Sequence, residues 1–79
     1  MKYTVVFEKA PNNYCAYIPD LPGCVAAGDT KEETEQLIKE AIEFHLEGMA
    51  EDNDPIPEAT SYAKEIEVAM PQKLAKKAG

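Results

Sequence analysis

The sequence predicts an α+β protein of order β-β-β-α-β, with one long helix packed on a mainly antiparallel sheet. Three observations lead there. Residues 2–10, 14–18 and 62–70 alternate apolar and polar side chains with a period of two, as half-buried strands do. Residues 31–49 carry apolar side chains three and four apart, the spacing of one helix face. Between the two patterns, Thr30 followed by Glu33 spells a helix-capping box.

In the first strand, residues 2–10, Tyr3, Val5 and Phe7 share one face, and Thr4, Val6 and Glu8 share the other. Pro11-Asn12-Asn13 is turn chemistry, because Asn tolerates positive φ and Pro cannot donate to a ladder. A second strand follows at 14–18, and the short connection implies an antiparallel hairpin. Pro19 and Pro22 then exclude both mid-helix and mid-sheet conformations. Gly23 and Gly28 supply freedom after each change of direction. A third short strand is expected at 24–27.

The helix is expected over 31–49. Thr34, Leu37, Ile38, Ala41, Ile42, His45 and Met49 form its inward stripe, and Glu32, Lys39, Glu43 and Glu47 its outward side. Glu35 and Lys39 are four apart in the favourable order. Phe44 and Leu46 border the stripe, with core edge favoured over subunit contact. Residues 50–59, with four acids, Pro55 and Pro57, read as a polar connector. A fourth strand is expected at 62–70, with Ile66, Val68 and Met70 inward and Glu65 and Glu67 outward. Whether it pairs parallel or antiparallel is left open by the pattern. Residues 1–70 are expected to be one domain, and 71–79 a short basic tail.

The chain has 79 residues and a formal charge of −7, from 15 acids and 8 lysines, with no arginine. A domain this small is near the lower limit for a self-sufficient core, which favours a homo-oligomer, dimer or tetramer. The acidic balance and the lack of arginine argue against direct nucleic-acid binding and favour a basic partner. No apolar run is long enough to span a membrane and no leader-like segment opens the chain, so a cytoplasmic protein is expected. Cys15 and Cys24 lack metal-ligand spacing and read as reduced, small apolar residues. A disulfide is the lesser alternative.

Few residues could carry catalysis. There is one histidine, His45, placed in the helix stripe, where a packed structural role outweighs an interface role and far outweighs catalysis. No phosphate-cradling glycine loop, nucleophile elbow or Cys-His metal motif is present. Glu8, Asp20 and Asp29 sit at strand ends and turns and do not converge as a two-metal site requires. No enzyme activity and no cofactor are expected.

The run Tyr17-Ile18-Pro19-Asp20-Leu21-Pro22-Gly23-Cys24, then Gly28-Asp29-Thr30 and Glu32-Glu33, resembles the core motif of HicB-like antitoxins. Lys39-Glu40-Ala41-Ile42, Pro55-Ile56-Pro57 and the opening strands with Tyr3, Phe7, Tyr14 and Ala16 extend the resemblance over residues 2–70. Thr34 departs from it, standing where the family more often has a small apolar residue.

The resemblance implies a partial RNase H-like fold without that enzyme's carboxylates. It also implies a partner, a small basic HicA-like mRNA interferase toxin, neutralised when the antitoxin covers its surface. Pro19, Asp20, Leu21, Pro22, Gly23, Cys24, Gly28, Thr30 and Glu33 are then structural motif residues. From charge and expected exposure, the partner-binding candidates are Glu32, Glu35, Glu43 and Glu47 on the helix and Glu51, Asp52 and Asp54 after it. Many family members add a DNA-binding segment. Nine residues after Met70 are too few for one, so promoter binding by this chain alone is not expected. The alternative is a solitary oligomeric regulatory or ligand-binding module with no toxin.

Overall fold

A computed structural model describes residues 1–71. Its elements are β1 (Val6–Lys9), β2 (Tyr14–Tyr17), β3 (Val25–Gly28) and α1 (Lys31–Glu51). The three strands form one antiparallel sheet in the order β1-β2-β3. The α+β class therefore holds. Of the expected basic tail at 71–79, residues 72–79 lie outside the described residues.

The ladder register sets what each face carries. Phe7, Ala16 and Ala26 stand opposite one another, as do Lys9, Tyr14 and Gly28, so all six share the face turned to α1. Ala16 and Gly28 are buried there, whereas Val25 and Tyr17 on the opposite face are exposed. The core is small, consisting of Ala16, Ile18, Leu21, Cys24 and Ile38, with Tyr3, Val5, Ala41, Ile42 and Leu46 packed around it.

Two of the core residues come from the proline-rich turn. Leu21 N–H donates to Ile18 O at 3.1 Å, and Cys24 N–H donates to Leu21 O at 3.1 Å. These are two successive β-turns, with Pro19 and Pro22 each in the second position, where a fixed φ is wanted. Gly23 sits at φ +83°, a conformation the second turn requires at its third position. The double turn swings Leu21, only 1% exposed, back into the core.

α1 starts where its cap predicts. Glu33 N–H donates to Thr30 Oγ1 at 3.0 Å. The Glu33 carboxylate accepts from the Asp29 N–H at 2.9 Å, one residue before the cap. The helix runs two residues beyond the expected Met49. It stops where Asn53 adopts φ 59°, with Asn53 N–H bonded to Ala50 O at 3.2 Å and Asp54 N–H to Met49 O at 2.8 Å. That pair of bonds is the Schellman arrangement, with Asn in the place glycine usually takes.

The fourth expected strand does not form within the chain. Residues 62–70 carry no ladder, and Tyr62, Ile66, Val68 and Met70 are 84%, 73%, 80% and 70% exposed. An alternating sequence becomes a strand only beside another strand, and none of the described strands pairs with this segment. The molecule is accordingly long, 56 × 28 × 17 Å.

Candidate protein-binding surface

Two structural features distinguish the surface: an acidic helix with an exposed aromatic, and the clasp at which the C-terminal arm leaves the body.

Thr34 and Ile38 fix the orientation of α1, since both are buried against the sheet. Thr34 is fully buried, and its hydroxyl donates to Thr30 O at 2.7 Å, so a polar side chain is satisfied where an apolar one would otherwise fit. With that face inward, Glu32, Glu35, Gln36, Lys39, Glu40, Glu43 and Glu47 are all exposed. Gln36 Nε2 donates to Glu40 Oε2 at 3.0 Å, a same-face pair one turn apart. Glu32 and Glu33 lie in the first turn, where the helix dipole favours them.

The other end is different. Glu47, Glu51, Asp52 and Asp54 gather at the negative end of α1, and its last turn holds no basic residue. An acid so placed costs roughly 0.3–1 kcal/mol. Every sequence-predicted acid, from Glu32 to Asp54, is thus exposed, and they line one flank and the C-terminal end of the helix.

Phe44 corrects the sequence reading. It was expected at the core edge, yet it is 78% exposed. Helical geometry puts Glu40, Ala41, Glu47 and Gly48 beside it, one turn away on either side. Leu46, the other border residue, does pack against the core. At about 100° per residue Phe44 lies roughly 120° around the helix from buried Ile38, outside the face turned to the sheet.

Asp20 lies in the double turn and binds a distant segment. One carboxylate oxygen accepts from the Thr60 N–H at 3.1 Å and the Ser61 N–H at 3.0 Å. The other accepts from the Thr60 hydroxyl at 3.0 Å and the Ser61 hydroxyl at 2.9 Å. The backbone bond from Ser61 is the main reason that the Asp20 carboxyl is held below its ordinary value of 3.8, with the hydroxyls and the Thr60 N–H acting the same way and desolvation opposing. Thr4 Oγ1 donates to Ser61 O at 2.6 Å, and Tyr3 Oη donates to Pro57 O, so the segment is also held from the chain start. Sequence reasoning missed Thr60 and Ser61. The only available signal was an Asp between two prolines with no local helix to cap.

The chemistry-bearing residues do not converge. Among the described residues no group of three or more His, Cys, Asp or Glu could hold a metal ion. Cys15 and Cys24 are free thiols, and burial pushes the Cys24 thiol up from its ordinary value. His45 is half-buried on the inward side of α1. No described helix is long and apolar enough to cross a membrane.

The sequence has recognisable relatives. The chain is 46% identical over 66 residues to an uncharacterized 14.9 kDa protein of Haemophilus phage HP1, covering 84% of this chain and 50% of the phage protein. It is 42% identical over 69 residues to a UPF0150 protein of Thermoplasma acidophilum, covering 86% of this chain and 97% of that one. It is 31% identical over 77 residues to Antitoxin HicB 2 of Photorhabdus laumondii, covering 98% of this chain and 55% of the antitoxin. The chain thus spans about half the length of the phage and Photorhabdus relatives and nearly all of the archaeal one. The family model described as HicB-like antitoxin of bacterial toxin-antitoxin system matches residues 3–77. With the match covering residues 3–77, nearly the whole chain, the protein belongs to the HicB-like antitoxin family.

Proposed function

We propose that this chain is a non-enzymatic, cytoplasmic antitoxin that sequesters a small basic HicA-like mRNA interferase by covering its RNA-binding surface. The observation that carries the reading is the acidic flank of α1. Glu32, Glu35, Glu43 and Glu47 continue into Glu51, Asp52 and Asp54 at a helix end where negative charge is unfavourable, with Phe44 exposed among them. Charge that destabilises the free helix is well used when a cationic partner neutralises it. Acidic residues around an apolar anchor also match the anatomy of a protein interface, a central side chain inside a charged rim. Opposite net charges steer the encounter and raise the association rate. The protein acts as a homo-oligomer, for which its small core leaves ample reason.

The test is inhibition of a purified HicA-like toxin from the same genome in an RNA-cleavage assay. The parent chain is expected to inhibit at near-equal stoichiometry. Glu43→Lys/Glu47→Lys/Glu51→Lys is expected to need at least about tenfold more protein, equivalent to about 1.4 kcal/mol. Inhibition unmoved by the triple reversal and by Phe44→Ala would show that this flank is not the toxin-binding surface. No complex with any basic toxin would leave the solitary oligomeric module as the better reading.

A further inference from the structure

α1 packs on one face of the sheet, and among the described residues no helix or strand covers the other. The ladder register places six side chains on that open face, in two rows. Val6, Tyr17 and Val25 form one row, and Glu8, Cys15 and Ala27 the next. An antiparallel sheet with its core on one side usually turns polar side chains to water on the other. Here five of the six are apolar, and Glu8, on the edge strand β1, is the one charge among them. Val25 is 65% exposed and Tyr17 39%.

The face is complementary to itself. Across β2 and β3 the first row is large, Tyr17 and Val25, and the second is small, Cys15 and Ala27. A two-fold axis between two such sheets, running across their strands, sets each row over the other row of the second copy. Tyr17 of one copy then seats on Cys15 of the other, and Val25 on Ala27, with the same contacts repeated beyond the axis. Sheets packed face to face interdigitate their side chains in this way, about 10 Å apart. Glu8 falls at the edge of the contact, where its carboxylate keeps its water. Charge selects the same occupant. A basic partner finds its attraction on the acidic flank of α1 and little on a face with one acid. Two copies that each carry −7 repel elsewhere and can meet where charge is sparse.

We infer that the open sheet face, centred on Tyr17 and Val25, is a contact between two copies of this chain, packed sheet on sheet as an α-β-β-α sandwich. This deepens the homo-oligomer reading given above, on which it rests, and is independent of the toxin. The two acidic helices become the outer layers. Both sheets lie between them, a separation well beyond the Debye length of about 8 Å at physiological salt. The contact also gives a chain with a small core a second apolar layer. A contiguous apolar face bordered by charge is the usual mark of such an interaction site.

The experiment follows the mass of the full chain by light scattering over a concentration series. The parent is expected to be a multiple of the 8.7 kDa chain mass. Val25→Glu/Ala27→Glu changes two exposed positions and should halve that mass with unchanged helical circular dichroism. Carboxylates pressed against an apolar face should weaken the contact at least about a hundredfold. Tyr17→Thr/Val25→Thr keeps strand propensity and adds no charge, and should act in the same direction if the glutamate variant fails to fold. An isotope-filtered NOE spectrum of mixed labelled and unlabelled parent should connect Val25 methyls of one copy to the Ala27 methyl of another. A parent that is monomeric at every concentration overturns the inference together with the homo-oligomer reading. An oligomer whose mass neither variant changes, or one without Val25–Ala27 contacts between copies, overturns this face alone. Toxin inhibition by the variants reads the antitoxin function separately, since the acidic flank of α1 is untouched.

Discussion

The Asp20 carboxylate accepts four hydrogen bonds from Thr60 and Ser61, all of which favour its ionised form. Its pKa is lowered by folding. The stabilisation is therefore fully present above the unfolded value and is lost as pH falls through the depressed folded value. The amides of Thr60 and Ser61 should be protected from hydrogen exchange near neutrality and lose protection below about pH 4. Asp20→Ala should remove that protection at every pH while leaving the Thr34 and Ile38 amides protected. Protection that stays equal from pH 7 down to full protonation of the carboxyl would sink this account. Gly28 answers to a different constraint, a close approach. A Cβ there would lie 2.8 Å from Thr34 Oγ1, 2.9 Å from Glu33 Oε1 and 3.1 Å from the Thr34 backbone nitrogen. The helix backbone cannot yield as a side-chain tip can, so Gly28→Ala should destabilise by about 1–3 kcal/mol in urea unfolding. Thr34→Val should be much milder, within about 1 kcal/mol, because Thr30 O still accepts the Thr34 N–H at 3.0 Å.

The elements divide into those specified locally and those that need a neighbour. The hairpin, the double turn and the start of α1 were legible because their determinants sit within a few residues: Pro11 to Asn13, Pro19 to Gly23, and Thr30 with Glu33. The end of α1 was read two residues short, since Ala50 and Glu51 are adequate helix formers and the stop depends on the positive φ of Asn53. The last strand was read from its period, which reports a tendency to alternate and nothing about which edge is within reach. Phe44 was misplaced for a related reason: amphipathicity gives the width of the apolar stripe but not how far the sheet extends beneath it. The acidic candidates were legible as exposed charge, whereas their concentration at the negative end of α1 became clear only with the helix boundary. That placement has a testable consequence of opposite signs. Glu51→Lys should raise the unfolding free energy of the free chain by roughly 0.3–1 kcal/mol, because it puts a cation at the helix C-terminus. The same change should weaken inhibition of a basic toxin. Thermal melts beside the cleavage assay separate the two effects, and a variant that loses both stability and inhibition would point to a structural role for Glu51 instead.

At the scale of the whole molecule, the charge of −7 sits on a 79-residue chain whose buried apolar core, among the described residues, is five side chains. Self-repulsion therefore opposes a fold with little to spare. Salt should relieve it. The Debye length falls from about 30 Å at 0.01 M, comparable with the 28 Å width of the molecule, to about 10 Å at 0.1 M, so acids on distant parts of the surface cease to interact. The melting temperature of the free chain should rise over that range. The association rate with a basic toxin should fall over the same range, because the attraction being screened there is favourable. A toxin contact whose association rate is indifferent to salt would therefore not be the acidic flank of α1.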